Sequence, residues 1–266
     1  MSTSPFITVR AQREIAFASP DHLVPHGTKQ DNSRNPWFNI RLLRLFTQAD
    51  ANRKLRVLDI GCSGGGFVHD LLDAGHLAVG LEGSDYSKKI GRAEWPLIPN
   101  FLFTADVTAP VDVFLKTSDG EERMICDVVT SWELIEHIAT PDLPKIAANV
   151  KKHLAPDGLW IMSVANYDCV VEGVNLHQTV QPKEWWVKMF AELGLHHVEP
   201  LVGYFGNQFV RGNPRGETAE EFHLVLSPQP ELAPRALPVR AVDRLRDRWI
   251  GSRGQRALAR WVTGKP

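Results

Sequence analysis

From Leu55 to Leu226 short apolar runs alternate with longer amphipathic stretches, and this alternation restricts the fold more than any other property of the 266-residue chain. Arg56–Ile60, Ala78–Glu82, Phe101–Ala105, Ile125–Ser131 and Leu159–Val164 have the length and apolar content of buried strands. Phe67–Ala74, Asp142–His153 and Lys183–Leu193 read as helices between or after them, the last stopped by Gly194. Strands that alternate with helices form βαβ units, so the expected class is α/β with a doubly wound, mostly parallel sheet. His197–Tyr204 and Glu221–Leu226 close the pattern with no helix expected between them, which predicts an antiparallel hairpin at the sheet edge.

Three segments follow from this pattern. Residues 1–35 are polar, carry Pro5, Pro20, Pro25 and Gly27, and read as an irregular arm or lid. Residues 36–228 form the α/β domain, opened by a helix that begins at Asn35-Pro36, where proline suits the first turn. Residues 229–266 combine a proline-rich linker with a basic amphipathic helical tail.

The first βα turn is Val57-Leu58-Asp59-Ile60-Gly61-Cys62-Ser63-Gly64-Gly65-Gly66-Phe67. Its glycines permit a tight turn and close approach of backbone to a ligand, and the following helix start offers free N–H groups. One βα unit later a second strand ends in Glu82, where doubly wound sheets place an acid against ribose hydroxyls. These features alone fit a nicotinamide dehydrogenase, a methyltransferase or a glycine-rich structural turn.

Four further motifs follow in order: Ala78-Val79-Gly80-Leu81-Glu82, Phe103-Thr104-Ala105-Asp106-Val107, Asp127 to His137, and Leu154-Ala155-Pro156-Asp157-Gly158-Leu159. Together with the glycine loop they resemble the class I S-adenosylmethionine-dependent methyltransferases over most of the chain. The resemblance implies a Rossmann-like, seven-stranded sheet and S-adenosylmethionine as cofactor. It implies cofactor contacts from Asp59, Gly61, Cys62, Ser63, Gly65, Glu82, Gly83, Asp106, Val107 and Ser131, with Asp106 beside the adenine amine. Ser63 departs from the family pattern, which commonly has glycine there.

After the fourth strand, Glu133, Glu136 and His137 stand at i, i+3 and i+4 and share one face if the segment is helical. His137 suits a general base acting on an acceptor hydroxyl, with Glu133 beside it. Glu-x-x-Glu-His is also similar to the metal-ligand pattern of small-RNA 2′-O-methyltransferases and ubiquinone-pathway O-methyltransferases. That resemblance implies a divalent ion on Glu133, Glu136, His137 and His177. The plainer alternative has Glu133 lining the cofactor cleft, Glu136 in a local salt bridge, and no metal.

The acceptor is expected to lie among the arm (His22, His26, Gln30, Asp31, Asn32, Arg34, Trp37), the 165–182 loop (Asn166, Tyr167, His177, Gln178), Trp185 and Trp186, and the 204–217 loop (Tyr204, Asn207, Gln208, Arg211). Polar and aromatic side chains together suit a polar small molecule or a saccharide, including a lipid-linked glycan. Charge bears on the alternatives. From Arg235 onward there are nine Lys or Arg against two acids, while the rest of the chain carries 21 bases against 29 acids. An acidic body argues against a nucleic-acid acceptor. The basic tail, with Val239, Val242, Leu245 and Trp249 and then Leu258, Trp261 and Val262, suits a peripheral membrane contact, a docked helix or a homo-oligomer interface. Cys62, Cys126 and Cys169 show no paired spacing and read as free thiols of a cytoplasmic protein. No signal peptide and no apolar run long enough to span a membrane are expected. A cofactor-binding module that methylates nothing is the competing class.

Overall fold

The computed structural model describes residues 6–25, 32, 34–118, 120–213 and 217–249. His26, Gln30 and Asp31 of the arm, and Leu258, Trp261 and Val262 of the tail, lie outside the described residues. In chain order the elements are β1 (Phe6–Ala11), α1 (Pro20–Leu23), α2 (Pro36–Phe46), β2 (Arg56–Ile60), α3 (Gly66–Asp73), β3 (Leu77–Glu82), α4 (Tyr86–Lys89), β4 (Leu102–Thr104), β5 (Val111–Thr117), β6 (Gly120–Arg123) and β7 (Cys126–Trp132). Then come α5 (Leu143–His153), β8 (Leu154–Ala165), the short β9 (Val170–Val171) and β10 (Val174–Asn175), α6 (Lys183–Glu192), β11 (His196–His197), α7 (Glu199–Phe205), β12 (Glu221–Ser227) and α8 (Ala241–Trp249).

Seven strands form one sheet in the order β4-β3-β2-β7-β8-β12-β11. The pairs from β4 to β8 are parallel, while β12 runs antiparallel to both β8 and β11. The doubly wound sheet and its antiparallel edge are therefore as expected. Successive strand residues serve opposite faces. Leu58, Val79 and Val129 pack with Ile146 and Val150 of α5 and Phe190 of α6. Val57, Ala78 and Val128 pack with Phe38 and Leu42 of α2, Leu71 of α3 and Phe205 of α7. Both faces are covered, so the central strands are apolar throughout instead of alternating with polar residues. The chain runs from β2 to β3 and β4 on one side, then crosses to β7 and β8 on the other, which puts the topological switch point at β2 and β7.

Three expectations are corrected. The arm is not irregular throughout: β1 pairs antiparallel with β5 from Phe6↔Lys116 to Ala11↔Val111, and β5 pairs with β6, forming a separate three-stranded sheet. Ile7 on β1 and Val111, Val113 and Leu115 on β5 are buried, so burial of one face drives the pairing. The strand at His197–Tyr204 shrinks to His196–His197, because Pro200 in its first turn starts α7, whose Leu201 and Phe205 are fully buried. The Glu133–His137 segment is not an α-helix: Glu133 has φ +46° and only Ile135–His137 makes a 3₁₀ turn. Among the described residues no helix is long and apolar enough to cross a membrane.

Candidate active site

The site lies at the carboxyl ends of β2, β3 and β7. Three residues of the first turn are left-handed: Gly61 (φ +76°), Ser63 (φ +46°) and Gly65 (φ +84°). Ser63, at the position where glycine is common, thus adopts backbone that favours glycine, at a cost of about 1 kcal/mol or more. Three contacts hold it there. Its N–H donates to Glu82 Oε2 (2.7 Å), its carbonyl accepts from Trp95 Nε1 (2.8 Å), and its hydroxyl accepts from Arg92 Nη2 (2.8 Å). Gly65 begins α3, and a Cβ there would lie 2.5 Å from Leu102 Cδ1 in the core. Gly65→Ala therefore combines a left-handed alanine with overpacking and is expected to cost about 2–4 kcal/mol, read as a lower midpoint in urea unfolding.

Glu82, 7% exposed, accepts from the N–H groups of Ser63 and Ser84 (3.1 Å). Burial raises its pKa, and the backbone N–H groups oppose that rise. The arm closes over this half. Ala16 N–H donates to the Gly83 carbonyl (2.9 Å), and Asp106 N–H donates to the Arg13 carbonyl (2.9 Å). Arg13 Nε donates to Asp106 Oδ2 (2.7 Å), while Asp106 Oδ1 accepts from Thr108 N–H and hydroxyl. Asn32 Oδ1 accepts from Gly66 N–H (2.7 Å) and so caps α3.

The second half is built from β7 and the loop after β8. Glu136 is fully buried: Oε1 accepts from Ala165 N–H (2.9 Å), and Oε2 has no hydrogen-bond partner among the described residues. Burial pushes its carboxyl up to about 7, against the pull of neighbouring His137. The Glu136 carbonyl accepts from the N–H groups of Gln178 (2.7 Å) and Thr179 (3.0 Å), which seats His177 beside His137. The two imidazole rings meet edge to face with centroids 4.7 Å apart. One ligand atom each from Glu136, His137 and His177 lie within 4.8 Å of one another. Asp21 of α1 stands 2.8 Å from His137 Nδ1 as an ion-pair partner without hydrogen-bond geometry, and His177 Nδ1 meets the Tyr167 carbonyl (2.5 Å). Burial lowers the pKa of His177, and the charge on His137 lowers it further. For His137 burial is the largest influence and acts downward, but Asp21, Glu136 and Glu133 together outweigh it and the net shift is upward.

That upward shift has a thermodynamic sign. The Asp21–His137 pair stabilises the fold fully below the unfolded imidazole pKa near 6.5, and the contribution is lost as pH rises through the higher folded value. Asp21→Ala is therefore expected to lower the melting temperature at pH 6 and to change it little at pH 9. An equal loss at both would contradict the pairing.

Both halves line one cavity of about 1200 Å³, Gly61, Ser63 and Glu82 from the first and Glu133, His137 and His177 from the second. The family described as "methyltransferase domain" matches residues 33–201. The chain belongs to this methyltransferase family. The methyltransferase is 27% identical over 133 residues to a ubiquinone biosynthesis O-methyltransferase of Pasteurella multocida, covering 48% of this chain and 53% of that protein. It is 28% identical over 131 residues to the mitochondrial protein of the same description in Arabidopsis thaliana, covering 47% and 38% respectively. The match thus spans less than two thirds of each relative. Among solved structures, the Burkholderia thailandensis 1,6-didemethyltoxoflavin-N1-methyltransferase superposes with a TM-score of 0.47 at 16% identity, covering 77% of this chain and 82% of that one.

Of the residues expected to contact the cofactor of the methyltransferase, Gly61, Ser63, Glu82, Gly83, Asp106 and Val107 line the cavity. Asp59, Cys62, Gly65 and Ser131 are not among its lining residues. Asp59 lies beneath the loop and accepts from the Thr130 hydroxyl (2.6 Å), and Cys62 is buried in the core, where desolvation holds its thiol protonated. Gly65 caps α3. Ser131 is fully buried and accepts from Trp160 Nε1 (3.0 Å), so its role is in the sheet. Glu133 separates from the expected four-residue cluster. Its left-handed backbone turns the carboxylate to Arg211, whose Nε donates to Oε2 at 2.7 Å. Asp21 and Arg13 were not singled out in the sequence; they stand 116 and 93 positions from their partners, and no local pattern marks such pairs.

Proposed function

We propose that this methyltransferase uses S-adenosylmethionine to methylate a hydroxyl oxygen of a polar small molecule or saccharide. The observation that carries this reading is one cavity lined by Gly61, Ser63 and Glu82 and also by His137 and His177, with Glu136 buried beside the two imidazoles. In the transfer, the bond from sulfur to methyl breaks, a bond from methyl to oxygen forms, and the hydroxyl proton leaves. The sulfonium supplies the electrophile, so the protein contributes positioning and a place for the proton. Loop backbone and Glu82 would hold the amino-acid and ribose parts of the cofactor. His137 Nε2, with Nδ1 beside Asp21, would receive the acceptor proton. That the ubiquinone-pathway relatives are O-methyltransferases supports oxygen as the methylated atom. Asp142, Lys145 and Gln178 line the acceptor end beside Tyr167, a mixture that suits hydroxyl-rich acceptors.

The same residues fit a divalent ion. A buried carboxylate oxygen without a partner and two imidazoles whose ring nitrogens lie within 4.8 Å of it form a mixed nitrogen–oxygen donor set suited to Mn, Fe, Co or Zn. Glu136, His137 and His177 would hold it, and Glu133, paired with Arg211, would not. A bound ion of this kind lowers the pKa of a coordinated hydroxyl. Metal analysis of the purified protein and a methyl-transfer screen over diols, phenols and sugars, with and without chelator, test the reading. The expected result is turnover on a hydroxyl acceptor that chelator suppresses. Full turnover in chelator would remove the ion and leave His137 as base, and cofactor binding without turnover on any acceptor would favour a silent module.

A further inference from the structure

The helix α8 (Ala241–Trp249) is docked with its two acids inward and an apolar stripe outward, the reverse of an ordinary surface helix. Asp243 and Asp247 face the domain. Asp243 pairs with Arg44 (3.2 Å), and Asp247 pairs with Arg41 (2.5 Å), a side chain 2% exposed that also donates to the Tyr204 carbonyl (3.0 Å). Asn207 Nδ2 donates to the Asp247 carbonyl (2.8 Å), and the Arg246 guanidinium lies 4.2 Å over the Trp37 ring. The preceding Leu237 and Val239 pack on the core and fix the entry of the helix. On the opposite side Val242, Leu245 and Trp249, at i, i+3 and i+7, are 60%, 65% and 49% exposed. Buried ion pairs thus fasten the helix in an orientation that leaves its apolar stripe in water.

We infer that this outward face of α8 is a peripheral docking surface for an anionic lipid bilayer. The charge around it selects that occupant. Arg235 and Arg244 are exposed, Asp247 pairs inward with Arg41, and Asp243 is shared by Arg44, Arg240 and Arg246. Cations bordering leucine and tryptophan match the headgroup boundary of an anionic membrane, where the apolar side chains enter and the arginines remain at the phosphates. A two-fold contact of this face with its own copy would set Arg244 and its neighbours against like charge. The surface is independent of the reading of the cavity as a methyl-transfer site.

The test is co-sedimentation of the full chain with vesicles of phosphatidylcholine alone and of phosphatidylcholine mixed with phosphatidylglycerol. The expected result is binding to the mixed vesicles only, weakened by added salt. Leu245→Glu and, separately, Arg244→Glu should each reduce binding by on the order of tenfold, with circular dichroism unchanged. Because both positions are exposed, one within the stripe and one beside it, one variant serves if the other misfolds. Equal binding to both vesicle types would overturn the proposal, as would binding untouched by either variant. Absence of binding would overturn it too. If in that case light scattering shows a dimer that Leu245→Glu dissociates, a second copy covers the face.

Discussion

Replacement of Glu82 by alanine is expected to lower affinity for S-adenosylhomocysteine by about 10²–10⁴-fold. Glu82 closes β3 and lines the cavity, and both carboxylate oxygens already accept a backbone N–H, from Ser63 and Ser84. Each oxygen keeps a lone pair for a ribose hydroxyl, and a hydrogen bond to a charged group contributes about 1.5–3 kcal/mol. Two such bonds account for the factor. Alanine would also leave the Ser63 N–H buried without its acceptor and release a left-handed residue from the contact that holds it. Glu82→Gln, which keeps one acceptor oxygen, is expected to fall between wild type and alanine. Titration calorimetry reads both. Affinity within threefold of wild type for Glu82→Ala would place the cofactor elsewhere.

The second large effect falls on turnover. His137→Ala is expected to reduce methyl transfer by about 10²–10⁴-fold, the range for loss of a positioned general base, while affinity for S-adenosylhomocysteine changes only a few-fold. The separation follows from the contacts: the ion pair of His137 is with Asp21, whereas the glycine loop is held by Glu82, Trp95 and Arg92. His177→Ala is expected to reduce turnover as well, since its ring packs against His137 and its Nδ1 is held by the Tyr167 carbonyl. Loss of cofactor binding in His137→Ala, in step with loss of turnover, would show that the residue supports the fold of the cleft and not the transfer.

What could be read from sequence divides along a physical line. Strands β2, β3, β7 and β8 were legible because both sheet faces are covered, which produces uninterrupted apolar runs. Strand β5 was missed although Val111, Val113 and Leu115 alternate with Asp112, Phe114 and Lys116, a period of two that its partner β1 repeats weakly with Ile7, Val9 and Ala11. Scoring alternation across 6–11 and 111–117 would have found the small sheet. Helix α7 was hidden because His197–Tyr204 is short and apolar, and Pro200 was the available signal for a helix start. In the site, the glycine loop, Glu82 and Asp106 were legible from local order along the chain. The geometry of Glu133 was not: an assumed helix put three side chains on one face, whereas a left-handed residue gave Glu133 to Arg211, 78 positions away. Asp21 depends on where the arm lies over the cavity, a tertiary property with no local trace.

The central claim is that the cavity holds S-adenosylmethionine against the glycine loop and Glu82. Titration of the full chain with S-adenosylhomocysteine and, separately, with NADH tests it most directly, because the same loop taken alone suits either ligand. The account predicts one saturable site for S-adenosylhomocysteine, removed by Glu82→Ala, and no heat from NADH. Saturable NADH binding with no heat from S-adenosylhomocysteine would contradict it.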